Sequence, residues 1–127
     1  MPETILVVDD SRSLRTMLED TFRGAGYGVI SAGNGREALS LLATHPADLI
    51  VTDFMMPLMN GVELTRAVRA TPGGQSIPIL LLSTESEPEK KQAAREAGAS
   101  GWAVKPFDPA QLLQTVAALL RKRHPAS

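Results

Sequence analysis

The sequence contains no cysteine and only two histidines, His45 and His124. The absence of cysteine excludes a disulfide scaffold, a thiolate zinc site, an iron–sulfur cluster and a cysteine nucleophile. Two histidines do not suffice for a histidine-rich metal site. Neither sign of charge dominates, because 13 basic and 14 acidic residues give a formal net charge of −1. This balance gives no electrostatic reason to expect nucleic acid or an anionic membrane as a partner.

Long apolar runs and a targeting signal are also missing. Apolar runs such as 79–82 are far shorter than the roughly 20 residues of a membrane-spanning helix. The N-terminal residues 1–4 lack the basic start and the apolar run of a signal peptide. We therefore expect a cytoplasmic protein that makes no membrane contact. Its 127 residues are enough for one domain with its own core, and we expect a single domain over residues 1–127 with a frayed tail at 124–127.

Five apolar runs rich in β-branched residues alternate with five segments of helical periodicity. The strands are predicted at 5–8, 29–30, 48–52, 77–82 and 102–104, and the helices at 12–25, 36–44, 61–70, 88–97 and 109–122. Strict alternation predicts an α/β fold, with a doubly wound parallel sheet and helices on both faces. The strands are apolar throughout, as expected where both faces are covered. In the first helix we expect Leu14, Met17, Leu18 and Phe22 to face the core.

Polar side chains follow four of the predicted strands, at the point where each strand ends: Asp9 and Asp10, then Asp53, then Ser83 and Thr84, and finally Lys105. Because open α/β sheets bind their ligands at the carboxyl ends of the strands, we expect these side chains to converge. Each residue alone also has a purely structural interpretation. Asp10 could cap the first helix, Ser83 and Thr84 could be turn residues, and Lys105 could be a surface lysine.

Three carboxylates held close together repel one another, so a cation or an ammonium group is needed to stabilise them. Hard oxygen ligands without cysteine or histidine favour Mg²⁺, with Mn²⁺ as the second candidate. A cation beside a carboxylate, with Lys105 and a hydroxyl nearby, is the equipment of phosphoryl transfer. In such a site the carboxylate can act as the nucleophile and form an aspartyl phosphate.

The strand-end residues belong to a series of short motifs: Val8-Asp9-Asp10, Thr52-Asp53-Phe54-Met55-Met56-Pro57, Asn60-Gly61, Leu82-Ser83-Thr84, Gly98-Ala99-Ser100-Gly101 and Val104-Lys105-Pro106-Phe107. In this order they resemble the receiver domain of bacterial two-component response regulators, most closely the stand-alone chemotaxis type. The resemblance covers essentially the whole chain. It implies a flavodoxin-like five-stranded sheet of order 2-1-3-4-5, an order that this class of domain is known to have.

The resemblance implies a metal site and a phosphorylation site. Asp53 corresponds to the phospho-acceptor. Asp9 and Asp10 correspond to the acid pair that holds Mg²⁺ together with Asp53, and the backbone carbonyl of Met55 corresponds to a further ligand.

The resemblance also implies roles beside the acceptor. Ser83 corresponds to the hydroxyl that moves toward the phosphoryl group, and Lys105 to the cation that contacts it. The Lys105–Pro106 peptide is expected to be cis. Trp102 occupies the position of an aromatic switch residue.

The function that follows is a phosphorylation-switched signalling protein. A sensor histidine kinase of the chemotaxis type would donate the phosphoryl group, and the domain would catalyse its own phosphorylation and slow autodephosphorylation. The phosphoryl group adds roughly −1.5 to −2 charge. We expect this charge to change the binding of a protein partner, such as a flagellar motor switch protein or a phosphatase. The alternative is that the domain acts as a phosphate sink. Neither nucleic acid nor membrane is an expected partner.

Two other functions fit part of this pattern. An aspartate-nucleophile phosphatase of the haloacid dehalogenase type carries a second aspartate two residues after the nucleophile, where this chain has Met55. A phosphorylation-independent interaction module would not need the complete set of strand-end residues. Met55 and Glu85 are expected to lie near the path of the hydrolytic water. Because a thioether cannot orient water as an amide does, we expect Met55 to slow autodephosphorylation unless it only packs the loop.

Overall fold

The computed structural model describes residues 2–84 and 87–123, apart from the side chain of Arg123. Within these residues the elements are β1 (Thr4–Val8), α1 (Arg12–Gly24), β2 (Gly28–Ala32), α2 (Gly35–Thr44), β3 (Leu49–Asp53), α3 (Gly61–Arg69), β4 (Ile79–Ser83), α4 (Pro88–Ala97), β5 (Gly101–Val104) and α5 (Pro109–Arg123). The predicted alternation is confirmed. The second strand is longer than predicted because it pairs along the whole of β1, from Thr4↔Gly28 to Val8↔Ala32. The predictions for Glu85 and the 124–127 tail lie outside the described residues.

The strands form one parallel sheet in the order β2-β1-β3-β4-β5. This order, which the resemblance implied, is confirmed. It puts β3 in the centre, with β1 and β4 as its neighbours. Because all strands run the same way, their carboxyl ends share one edge of the sheet. The last residue of β3, Asp53, therefore lies between the ends of β1 and β4.

Alternate residues of the strands point to opposite faces, and each face packs on helices. One core cluster joins α1 and α5 to one face of the sheet: Ile5, Val7, Leu18, Phe22, Leu49, Val51, Leu80, Leu82, Leu112, Val116, Leu119 and Leu120. A second joins α2 and α3 to the other face: Leu6, Val8, Ala32, Ala38, Ala47, Ile50, Met56, Leu64, Val68 and Ile79. The doubly wound α/β architecture is thus confirmed.

The ends of the helices follow from their capping residues. The Ser11 side chain accepts a hydrogen bond from Leu14 N–H and so caps α1. The interpretation of Asp10 as the cap of this helix is therefore wrong. Gly98 ends α4 in the left-handed region, with φ 105°, which glycine adopts without a Cβ clash. The prediction that Met17 faces the core is also wrong, because this residue is 55% exposed.

Candidate functional site

Three carboxylates meet at the carboxyl edge of the sheet. Asp9 and Asp10 follow β1 directly, and Asp53 is the last residue of β3. Each offers one oxygen atom, and these three atoms lie within 4.8 Å of one another. Asp9 is 0% exposed and Asp53 is 8% exposed, whereas Asp10 is open to solvent. The predicted convergence of the acids is found in the structure.

Lys105 completes the charge balance of the acidic cluster. Its Nζ atom lies 3.0 Å from Asp53 Oδ1 and 3.5 Å from Asp9 Oδ2. The side chain is mostly buried, so the interpretation of Lys105 as a surface lysine is wrong. The following peptide, Lys105–Pro106, is cis as expected.

Asp9 is held by two donors, one from the N-cap residue of α1 and one from the helix itself. Ser11 N–H donates to Asp9 Oδ1 at 2.8 Å, and Arg15 Nη1 donates to the Asp9 carbonyl at 2.7 Å. The contact of Arg15 was not predicted. Its only signal in the sequence is a basic residue one helical turn after the N-cap, and many surface helices have such a residue.

The ionisation of Asp53 reflects two opposed effects. Burial raises the pKa of Asp53 above its ordinary value, and the nearby Asp9 charge acts in the same direction. Lys105 lowers the pKa again through its hydrogen bond and its charge, but burial prevails. The carboxylate that the sequence assigned as nucleophile is therefore poorly solvated, and a cation near it would stabilise its charged form.

The acidic cluster fits a hard divalent cation. It offers carboxylate oxygens only, as Mg²⁺ prefers. Exposed Asp10 leaves the cluster open to solvent, so that an ion can enter with part of its water shell.

Ser83 ends β4, beside the central strand, and is 2% exposed. Its carbonyl accepts a hydrogen bond from Lys105 N–H at 2.8 Å, which keeps the ends of β4 and β5 together. Thr84, the next residue, is exposed. Of the two hydroxyls, the one assigned by the resemblance is the buried one.

The loop between β3 and α3 is fixed by backbone contacts at Gly61, whereas part of it is exposed to solvent. Gly61 N–H donates to the Phe54 carbonyl at 2.9 Å. A Cβ atom on Gly61 would lie 2.6 Å from the Asp53 carbonyl. Met56 packs in the second core cluster, but Met55 is 61% exposed. The alternative in which Met55 only packs the loop is therefore wrong.

An aromatic pair lies beneath α4, next to the acidic cluster. The ring centroids of Phe54 and Trp102 are 5.3 Å apart, and the ring planes are tilted by 55°. Lys90 Nζ of α4 lies 5.9 Å from the centre of the Phe54 ring. The sequence did not indicate the contacts of Phe54 and Lys90, since nothing along the chain relates positions 36 residues apart.

Comparison with known proteins places this geometry in a family. Residues 5–117 match the response regulator receiver domain. The Vibrio cholerae chemotaxis protein CheY4 is 44% identical, with a TM-score of 0.91 over 94% of this chain and 99% of that chain. The signal receiver domain of a Syntrophus aciditrophicus signal transduction histidine kinase is 32% identical, with a TM-score of 0.89 over 98% and 95% of the two chains. The chain belongs to the response regulator receiver domain family.

The curated relatives are longer proteins. The response regulator MprA of Mycolicibacterium vanbaalenii is 42% identical over 98% of this chain and 53% of its own length. A Mycobacterium response regulator MprA is 41% identical, over 98% and 54% of the two lengths. The chain thus spans about half the length of the curated relatives that it matches.

Family membership defines the broad function. A receiver domain acts in phosphorylation-dependent signalling, and a histidine kinase is its partner. Receiver domains bind Mg²⁺ at an acidic cluster, which this chain has in Asp9, Asp10 and Asp53. In the part of the chain that the structure describes, no helix combines the length and the apolar character that a membrane crossing requires.

Proposed function

We propose that Asp53 accepts the phosphoryl group, with Asp9, Asp10, Asp53 and the Met55 carbonyl as ligands of Mg²⁺. The observation that carries the proposal is the position of Asp53 Oδ1, 3.0 Å from Lys105 Nζ within a cluster of three carboxylates. A purely structural ion pair would need one acid and one base. Two further carboxylates at the same place are costly for folding unless they serve a cation.

The proposed transfer moves one phosphoryl group between two nucleophiles. A carboxylate oxygen of Asp53 forms the new O–P bond as the P–N bond of a phosphohistidine breaks, and the imidazole nitrogen keeps the electron pair of that bond. Bound Mg²⁺ would neutralise charge on the carboxylates and on the phosphoryl oxygens. Lys105 supplies a second positive charge on the Asp53 side, and the buried Ser83 hydroxyl moves toward the phosphoryl oxygens.

We further propose that phosphorylation changes protein binding at the face formed by α4, β5 and α5. The signalling process in which it does so is proposed to be chemotaxis. The 44% identity to a chemotaxis protein of Vibrio cholerae supports this assignment. The expected partners are a chemotaxis kinase as donor, and a flagellar motor switch protein or a phosphatase as receiver of the signal, with a phosphate sink as the other outcome.

The donor kinase takes phosphate from ATP, so the proposed location is the cytoplasm. A single domain over residues 1–127 is part of this proposal.

The chemistry is tested with a small-molecule phosphodonor and Mg²⁺, comparing wild type with Asp53→Asn. We expect wild type to accumulate a stable phosphoprotein and to consume about one donor molecule per chain before slow turnover begins. Asp53→Asn is expected to accumulate none. Rapid release of phosphate without an accumulated phosphoprotein would support the phosphatase instead. No reaction in either protein would support the phosphorylation-independent module.

The chemotaxis assignment is tested separately, with beryllofluoride as a mimic of the phosphoryl group. Purified chemotaxis kinase and flagellar motor switch protein are each titrated with the domain, with and without beryllofluoride. Binding to the motor switch protein that strengthens with beryllofluoride supports a role in motor output. Exchange of phosphate with the kinase, without any such binding, supports the phosphate sink. Reaction with neither protein would contradict the chemotaxis assignment.

A further inference from the structure

Phe54 connects the acidic cluster to the rest of the sheet through its backbone. It directly follows Asp53, its N–H donates to the Leu82 carbonyl at 2.8 Å, and its carbonyl accepts from Gly61 N–H at 2.9 Å. These two bonds attach the residue to β4 on one side and to α3 on the other. The position of the Phe54 ring is therefore tied to the loop that follows Asp53 and carries Met55.

The Phe54 ring is held by side chains of two other elements. Trp102 of β5 contacts it as a tilted aromatic pair, at 5.3 Å between centroids. Lys90 of α4 places its ammonium group 5.9 Å from the ring centre, which is within the range of a cation–π interaction. Phe54 itself is buried. One ring thus connects a loop of the acidic cluster to both α4 and β5.

Helix α4 packs on the core through small side chains. Its buried residues are Ala94 and Ala97, both in its second half, and they pack in the small cluster that contains Phe54. The far end of the helix is anchored separately, because Arg69 donates two hydrogen bonds to the Gly98 carbonyl, at 3.0 Å and 2.8 Å. Near its start, the helix contacts the Phe54 ring through Lys90.

We propose that Phe54 is a positioning residue that couples the occupancy of the Asp53 site to the position of α4 and β5, through Lys90 and Trp102. The inference rests on the proposed function, since it names the route by which the acidic cluster reaches the partner-binding face. A ligand on Asp53 that moves the loop also moves the Phe54 ring. The displaced ring then changes the surroundings of the Trp102 indole and the contact that the Lys90 ammonium group makes with the ring. Because coupling between two sites is reciprocal, loss of the Lys90 contact must also change binding at Asp53.

The experiment uses two independent signals. Trp102 is the sole tryptophan, so emission reports on this position alone. The ¹⁹F resonance of bound beryllofluoride reports occupancy of the Asp53 site without reference to tryptophan. Both are recorded in excess Mg²⁺ during a titration with beryllofluoride.

The variants separate the ring from the charge. Phe54→Leu removes the aromatic face but keeps an apolar side chain, and Phe54→Tyr keeps the face. Lys90→Met removes the ammonium group of a half-buried side chain, together with its 3.8 Å ion pair to Glu87. It tests the coupling even if a change at the buried Phe54 prevents folding. Lys122→Met, a matched loss of one positive charge on the exposed side of α5, is the control.

In wild type and in Phe54→Tyr, we expect Trp102 emission to change in step with the ¹⁹F occupancy. In Phe54→Leu the change per bound beryllofluoride should fall to less than about half. Lys90→Met should shift the midpoint of the ¹⁹F titration by about twofold or more, the lower end for a lost cation–π contact. Lys122→Met should match wild type. Lys90→Met should have no further effect in the Phe54→Leu background, because it acts through the ring.

Two results would overturn the inference while leaving the proposed function intact. One is a folded Phe54→Leu whose Trp102 emission responds to bound beryllofluoride as in wild type. The other is a Lys90→Met titration that coincides with that of Lys122→Met. Failure of wild type to bind beryllofluoride at all would instead overturn the proposed function, and the coupling with it.

Discussion

Lys105 is the residue whose position says most about the site, because its ammonium group lies between two carboxylates that are nearly inaccessible to water. A buried cation paired in this way stabilises negative charge that arrives later on the same side. It is also bonded through its backbone to Ser83. Lys105 is thus better placed to contact the phosphoryl oxygens once they are bound than to assist the transfer step.

We therefore expect Lys105→Ala to accept phosphate from a small-molecule donor but to bind its partner weakly. Loss of a charge-assisted hydrogen bond corresponds to about tenfold weaker binding or more. The measurement is the partner affinity of the phosphorylated variant, with Lys122→Ala as the control for charge. If phosphorylated Lys105→Ala bound its partner with wild-type affinity, Lys105 would have no role in coupling phosphorylation to partner binding.

Asp53 is more buried than an ionised carboxylate tolerates without cost, and this burial raises its pKa. Between its ordinary value of 3.8 and the raised value, the native state holds more protons than the unfolded chain. The free energy of unfolding therefore falls as pH rises through that window, and the loss persists at higher pH.

Metal-free Asp53→Asn is accordingly expected to unfold at a higher urea concentration than wild type at neutral pH. The difference should shrink as pH falls through the window toward the ordinary pKa. Mg²⁺ should stabilise wild type by about 2.7 kcal/mol at one hundred times its dissociation constant, and Asp53→Asn by less. A metal-free wild type at least as stable as Asp53→Asn at neutral pH would contradict the cost assigned to this burial.

Met55 bears on the lifetime of the phosphoryl group. Its side chain is 61% exposed, two residues after the acceptor, so it is available to the solvent side of the site. A thioether is a weak acceptor and has no proton to donate, whereas an amide can both accept and donate. We expect Met55→Asn to lose phosphate severalfold faster than wild type in excess Mg²⁺, with unchanged labelling at Asp53. Decay at the same rate or more slowly would show that Met55 does not set the lifetime.

At the scale of elements, the β3–α3 loop depends on the absence of a side chain at Gly61. A Cβ atom there would lie 2.6 Å from the Asp53 carbonyl and 2.6 Å from a Leu81 methyl group. The backbone of the acceptor and the start of α3 can approach each other only because this position is glycine.

Gly61→Ala is expected to destabilise the domain by about 1–3 kcal/mol, as overpacking does, and to weaken Mg²⁺ binding because the loop must move. Gly24→Ala is the matched control. No atom lies within 4 Å of its added Cβ, and Gly24 ends a helix, so that change should be neutral or slightly stabilising. Equal urea midpoints for the two variants would show that the loop tolerates displacement.

The elements could be predicted because their signals are local. Apolar runs, helical periodicity and the glycine at the end of α4 fix which segments form strands and helices, and the strand ends place Asp9, Asp53 and Lys105 on one edge. Met17 was mistaken because periodicity defines a helix face only to within one position. The contacts of Arg15 and the Phe54 ring depend on side-chain packing between elements, which no local pattern records.

At the scale of the whole molecule, the sheet order determines the chemistry. Central β3 carries the assigned acceptor, and its neighbours β1 and β4 carry the acid pair and the hydroxyl. Strand β5 at the edge carries Trp102, which packs toward α4, and Lys105 follows its last residue. The fold thus joins a buried anionic site to an outer face through adjacent strands, which is the arrangement that a phosphorylation switch requires.

The most direct test of this account is to locate the phosphoryl group on the chain. Protein treated with a small-molecule phosphodonor is reduced with borohydride, which converts an aspartyl phosphate to homoserine, and its peptides are sequenced by mass spectrometry. We expect homoserine at position 53 only, in the presence of Mg²⁺, and none after chelation or in Asp53→Asn. Homoserine at position 9 or 10, or at position 53 without Mg²⁺, would contradict it.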